Sequence, residues 1–108
     1  MLSLADFKRI DLRVAEVVNV EPIPGSQRLL KVTVDLGHEL RTLVGALAQS
    51  YGPADLRGLQ VIVVANLEPA TIRGVRSEGM MLGVGCEEPG AVALLTVQRP
   101  VANGAPVQ

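Results

Sequence analysis

From Leu30 to Leu36 the chain alternates without a fault: Leu30, Val32, Val34 and Leu36 are apolar, and Lys31, Thr33 and Asp35 between them are polar. A backbone whose successive side chains point to opposite faces is a β-strand, so this stretch has one dry face and one wet face. A second segment supplies the middle of a sheet for it. Leu59 to Ala65 is almost continuously apolar, which predicts a central strand buried on both sides. The material available for the core is narrow. Hydrophobic residues make up 48% of the chain but aromatics only 2%, with Phe7 and Tyr51 the whole set. The core must be built from Val, Leu, Ile and Ala.

The rest of the chain falls around these two strands. Ser3 is placed to cap a short N-terminal helix, with Asp6 in the capping-box position and Leu4 and Phe7 expected to face inward. Leu12 to Val20 is rich in β-branched residues and reads as a strand. Leu36-Gly37-His38-Glu39 reads as a hairpin connection into Leu40 to Val44. Ala46, Leu47 and Ala48 favour a helical turn. Pro53 suits the first position of a second short helix and Gly58 its end. Asn66-Leu67-Glu68-Pro69 ends the central strand, and Pro69 to Gly79 reads as a surface loop. Met80 to Val84 and Ala91 to Val97 form a last strand pair around Glu87-Glu88-Pro89-Gly90, and Asn103-Gly104 marks a turn near the end. Six short strands and two short helices describe a small β-barrel, all one domain over residues 1–108. A helix after the third strand is the usual OB-fold arrangement.

Several function classes are excluded or disfavoured. No apolar run approaches the roughly 20 residues needed to cross a bilayer. The stretch Met1 to Asp6 lacks the pattern of a secretory signal, and Cys86, the one cysteine, permits no internal disulfide; both fit a cytoplasmic chain. The start at Met1 fits a free-standing gene product. His38 and Cys86 are the only members of their kinds, with no supporting constellation for a nucleophile–base pair and no metal-ligand spacing. No glycine-rich loop opens a helix after a strand. An enzyme is therefore not expected. Ten Lys and Arg against eleven Asp and Glu give a net charge of −1, so no broad basic footprint is visible in the primary order. Eight of the ten cations are Arg, whose planar fork suits phosphate, so a few well-placed ones would suffice.

Five segments in register carry a resemblance. They are Asp11-Leu12-Arg13-Val14; Leu29-Leu30-Lys31-Val32 with Val34-Asp35-Leu36-Gly37; Tyr51-Gly52-Pro53-Ala54-Asp55-Leu56-Arg57-Gly58; Val64-Ala65-Asn66-Leu67-Glu68-Pro69; and Gly74-Val75-Arg76-Ser77-Glu78-Gly79-Met80. Together, over roughly residues 4–107, the span of one domain, they resemble the tRNA-binding domain found at the C-terminus of many methionyl-tRNA synthetases. That domain also occurs as a stand-alone tRNA-binding protein and in the endothelial-monocyte-activating polypeptide. The resemblance implies an all-β, five-stranded OB-fold barrel with short helices, an N-terminal helix and a C-terminal extension. It implies a homodimer without a cofactor, with tRNA as ligand and an aminoacyl-tRNA synthetase as a further partner. Its function would be non-catalytic recognition of folded tRNA in support of aminoacylation. In this family the terminal regions help form the dimer interface, and the almost uncharged, apolar tail after Glu88 fits that.

The chain departs from the family pattern in places. Relatives usually carry His-Pro, a small residue, Asp and Lys before the Leu-Leu; here the stretch is Ile23-Pro24-Gly25-Ser26-Gln27-Arg28. Relatives often carry several cations after the Asn-Leu; here there are Glu68, Ala70, Thr71 and a single Arg73. The CsaA-type export chaperones, which bind unfolded peptides, are a sister branch and the alternative reading. The expected RNA-binding residues are Arg28, Lys31, Arg41, Asn66, Arg73, Ser77 and Met80. Asn66, Arg73, Ser77 and Met80 match positions that the family uses near its RNA face. Lys31 and Arg41 would make a basic patch if they share one sheet face, the usual oligonucleotide face of OB-folds. Against these stand plainer roles: Asn66 ending the strand, Ser77 making a turn bond, Met80 filling the core, Lys31 and Arg41 paired across the hairpin. Asp11 and Arg13 read as a structural pair.

Overall fold

The computed structural model describes all residues, Met1–Gln108. In chain order the elements are α1 (Leu4–Phe7), β1 (Leu12–Pro22), β2 (Leu30–Asp35), β3 (Leu40–Gly45), α2 (Pro53–Leu56), β4 (Gln60–Val64), β5 (Ala70–Ile72), β6 (Val75–Ser77), β7 (Met80–Met81), β8 (Gly83–Gly85) and β9 (Val92–Leu94). The main sheet has the order β3-β2-β1-β4-β7 and every pairing is antiparallel.

β1 is shared between two neighbours. Its first half, Leu12–Glu16, pairs with β4, and its second half, Glu16–Pro22, pairs with β2. A register shift between Val17 and Asn19 marks the handover and leaves Val18 exposed. Such a bulge bends the strand and raises its twist, which is what curling a sheet into a barrel needs. The curl brings β3 back to the chain just before β7. There the Glu78 N–H donates to Thr42 O at 2.9 Å, and Ser77 Oγ accepts from the Val44 N–H at 3.0 Å. The result is a nearly closed five-stranded barrel of OB type.

The alternation of β2 is realised residue by residue: Leu30, Val32, Val34 and Leu36 are buried, while Lys31, Thr33 and Asp35 are half-exposed. β4 is buried at Val61, Ile62 and Val63 in succession, hence on both faces. Twelve buried residues form one cluster in which Val and Leu dominate and no aromatic takes part. Each fully buried Val or Leu contributes about 1.5–3 kcal/mol. Tyr51 packs beside this cluster, and its hydroxyl accepts from the Leu94 N–H at 3.0 Å, tying β9 to the barrel. α2 covers one barrel end with Leu56, and Pro53 starts it as expected.

The tail returns to β1. The Val14 N–H donates to Ala105 O at 2.9 Å, Gly104 N–H to Val14 O at 2.6 Å, and Val107 N–H to Leu12 O at 2.8 Å. It therefore covers the edge of β1 that β2 does not reach.

Three expectations need correction. α1 is capped by Ser3 as read, but it buries nothing: Leu4 is 67% and Phe7 43% exposed. Four residues are too few to wrap an apolar stripe onto the barrel, and both side chains are left on the surface. Residues 46–48 form a bend and the start of a turn, not a helix. Residues 69–79 are not a plain loop, because β5 and β6 form a hairpin there. No helix of the structure is long and apolar enough to cross a membrane.

Candidate nucleic-acid interface

The β5–β6 hairpin turns on two residues, Arg73 and Gly74, between the paired Ile72 and Val75. Both have positive φ, +51° and +79°. A two-residue turn of this hand matches the twist of the strands it joins, and it normally takes Asn-Gly or Gly-Gly. An arginine at its first position sits in the left-handed region at a cost of order 1 kcal/mol. Its side chain leaves the ribbon, and Nη1 donates to Gly25 O at 3.3 Å.

Gly25 belongs to the β1–β2 connection. That turn is fixed from within: Ser26 Oγ accepts from the Arg28 N–H at 3.3 Å and the Leu29 N–H at 3.1 Å. Arg28 is exposed on it. The hairpin tip and the Arg28 turn are therefore adjoining, although 45 residues separate Arg28 from Arg73 in sequence. Arg76 is exposed on β6 opposite Thr71 and adds a second guanidinium to the ribbon, a third beside Arg28. Reading residues 69–79 as a loop hides it. The cue was the alternation Val75, Arg76, Ser77 after Arg73-Gly74.

Lys31 and Arg41 do not share a face. Lys31 lies opposite Val44 on β3 and opposite Glu21 on β1, whereas Arg41 lies opposite Val34. Directly paired residues point the same way, so Arg41 joins the inward set with Val34 and Leu43, and Lys31 points outward. Lys31 is also faced by a carboxylate, Glu21, which itself accepts from Asn19 Nδ2 at 2.9 Å. The patch expected from these two cations does not form.

Arg41 is only 23% exposed at its side chain. Its Nε and Nη2 donate to Glu39 Oε1 at 3.0 and 2.8 Å. Nη1 donates to the carbonyls of Ala65 and Glu78. The Arg41 guanidinium holds the Glu39 carboxyl below its ordinary value, with smaller help from His38, whose Nε2 lies 3.3 Å away.

Asn66 and Ser77 are likewise committed inside the molecule. Asn66 Oδ1 accepts from the Asp11 N–H at 2.9 Å and Nδ2 donates to Arg9 O at 2.7 Å, so Asn66 ties the chain entering β1 to the end of β4. Ser77 is 5% exposed; besides accepting from Val44 it donates to Gly79 O at 3.1 Å. Met80 is exposed, paired with Val64, and not in the core. Arg13 pairs with Asp11 at 2.7 Å and donates to Gly104 O at 3.1 Å, the structural role read for it. No group of three or more His, Cys, Asp or Glu comes together as metal ligands do.

Two apolar surfaces complete the inventory. Leu4, Phe7, Ile10, Leu12, Pro106 and Val107 line a cleft of about 420 Å³ between α1 and the tail. Val44, Leu47, Met80, Met81, Val92 and Leu94 line a groove of about 520 Å³ where the barrel seam opens beyond Ser77.

Residues 12–106 match the family model described as "Putative tRNA binding domain". The chain is 44% identical over 108 residues to a methionine–tRNA ligase of Methanoculleus marisnigri and 47% identical over 107 residues to that of Methanocaldococcus jannaschii. Those matches cover 100% and 99% of this chain but 16% of each relative, so the chain spans about a sixth of their length. Among solved structures, a MetRS-related protein from Pyrococcus horikoshii aligns with a TM-score of 0.92 at 34% identity, over 100% of this chain and 98% of that one. The chaperone CsaA from Bacillus anthracis aligns with a TM-score of 0.89 at 30% identity, over 100% and 99%.

Proposed function

Because this chain belongs to the tRNA-binding domain family, we propose that it is a non-catalytic module that docks on the outside of folded tRNA, as a homodimer, in support of aminoacylation by a synthetase. One observation carries the choice of site: Arg73 reaching Gly25 joins the arginine-bearing hairpin to the turn that presents Arg28. Arg28, Arg73 and Arg76 then offer phosphate and ribose contacts from adjoining surface elements on a rigid barrel. Lys31 flanks them with its charge partly offset by Glu21. Asn66 and Ser77 serve by holding the two ends of the excursion that carries the hairpin. Stacking on extended single strands is not part of this reading, since the surface offers no aromatic platform there. Recognition by shape and backbone suits the residue set.

Arg28→Ala with Arg73→Ala is expected to weaken binding to bulk tRNA and to lower the slope of log K against log salt by about two contacts' worth for each protomer engaged. A wild-type protein that shifts no tRNA in a gel at low salt would sink this function.

A second reading has its own observation. The apolar groove at the open seam, with Met80 exposed on its rim, suits an unfolded client of the kind a CsaA-type chaperone takes. Suppression of client aggregation that survives the double arginine variant and is lost in Met80→Glu would favour it.

A further inference from the structure

The chain leaves the barrel after Ala65 and returns to it at Glu78; everything between is the excursion that carries β5, β6 and the Arg73–Gly74 turn. Both of its feet end on one nitrogen. Arg41 Nη1 donates to Ala65 O on the outgoing foot and to Glu78 O, at 3.4 Å, on the returning one. The other side of the guanidinium is held by Glu39 through Nε and Nη2. Four donors are thus spent inside the molecule, and the fork that would grip a phosphate is turned inward along the face of Val34 and Leu43.

We infer that Arg41 is a positioning residue for the RNA face: it touches no ligand, but clamps the two feet of the hairpin so that Arg73 and Arg76 are aimed beside the Arg28 turn. The functional half of this rests on the tRNA-binding reading; the clamp itself does not. A two-stranded ribbon of three residues a side has little stability of its own. Its aim must come from what holds its base, and at its tip the side-chain bond from Arg73 to Gly25 is a single long one. Asn66 fixes the outgoing foot to the segment between α1 and β1, at Arg9 and Asp11, and Ser77 fixes the returning foot to β3. Only Arg41 bonds to both feet at once. Lysine could not replace it, because an ammonium is a single point of charge and cannot hold Glu39 on one side and two carbonyls on the other with a planar fork.

The test is a double-mutant cycle with a readout that needs no tRNA. Binding of bulk tRNA is measured across a potassium chloride series for wild type, Arg41→Gln, Arg73→Ala and the pair. Amide hydrogen exchange over residues 70–77 is measured on the same proteins. Expected are a several-fold loss of affinity for Arg41→Gln, a clearly smaller loss when it is added to Arg73→Ala, because only Arg76 is then left to misplace, and faster exchange confined to the hairpin. A direct phosphate contact would give additive losses and a further drop in the salt slope of about one for each protomer engaged. Additive losses, or hairpin protection unchanged in Arg41→Gln, overturn the inference. Should that variant not fold, Arg41→Lys takes its place: it keeps the charge, so wild-type affinity and exchange would overturn the clamp, and a loosened hairpin would support it. If wild type binds no tRNA, the tRNA reading falls and the exchange result alone decides the clamp.

Discussion

Glu39 is the residue on which the Arg41 clamp leans, and its ionisation gives the clamp a pH dependence. Its folded carboxyl value lies below the ordinary 4.5, first because Arg41 hydrogen-bonds it and then because Arg41 and His38 place positive charge nearby. A carboxyl lowered on folding adds stability above its unfolded value, and that contribution is lost as pH falls through the folded value. Wild type should therefore be more stable than Glu39→Gln at neutral pH by a fixed small margin. The margin should shrink below about pH 4.5 and vanish once Glu39 is protonated in the native state. Urea midpoints of both proteins between pH 7 and pH 3 would read this directly. A margin that showed no decline as pH falls below about 4.5 would mean that Glu39 acts through shape and not through charge. The partial exposure of both side chains keeps the effect modest and sensitive to salt.

Among the elements, the C-terminal tail has a structural role out of proportion to its lack of regular structure. It supplies the missing neighbour for the first half of β1 through Val14, Leu12, Gly104 and Ala105. Gly104 is there because its φ is +87° and because a Cβ would collide with the carbonyl of Leu36. Gln60 adds a side-chain lock: Nε2 donates to Val101 O at 2.7 Å and to Asn103 Oδ1 at 2.9 Å, and Oε1 accepts from the Val101 N–H at 3.1 Å. Removing residues 101–108 should strip this edge, lower the thermal midpoint by several degrees and promote aggregation through the bared strand. Unchanged melting and solubility would show the tail to be ornamental. β2 and β4 were legible because alternation and continuous apolarity report burial directly. The β5–β6 hairpin was not, since three-residue strands carry almost no period and Arg-Gly is unusual turn chemistry. Asn66, Ser77 and Arg41 stood out as polar residues in suggestive places. The directions of Ser77 and Arg41 depend on how β3 meets Ser77–Glu78 across the seam, and that of Asn66 on the chain entering β1; no local pattern encodes either.

For the molecule as a whole the difficulty is charge. A net charge of −1 gives no general attraction to a polyanion, so affinity must come from a few focused guanidiniums. Each phosphate neutralised contributes about 0.7–0.9 to the salt slope, so the three arginines of the proposed site on one protomer would support only weak, mildly salt-dependent binding. Two copies with their arginine faces on one tRNA would double the slope and gain far more than double the affinity, because the second docking becomes intramolecular. We propose the apolar cleft of Leu4, Phe7, Ile10 and Val107 as the surface for such pairing. No α1 residue is buried, so this face can be changed without touching the core. Phe7→Asp should leave the thermal midpoint of the barrel near wild type and yield monomers in sedimentation. Its tRNA binding should weaken about a hundredfold, with the salt slope cut to roughly half. A monomer that kept the full slope would mean that one protomer makes all the contacts. A variant that stayed dimeric would move the two-fold axis to another face, with the open seam beside Met80 the next candidate.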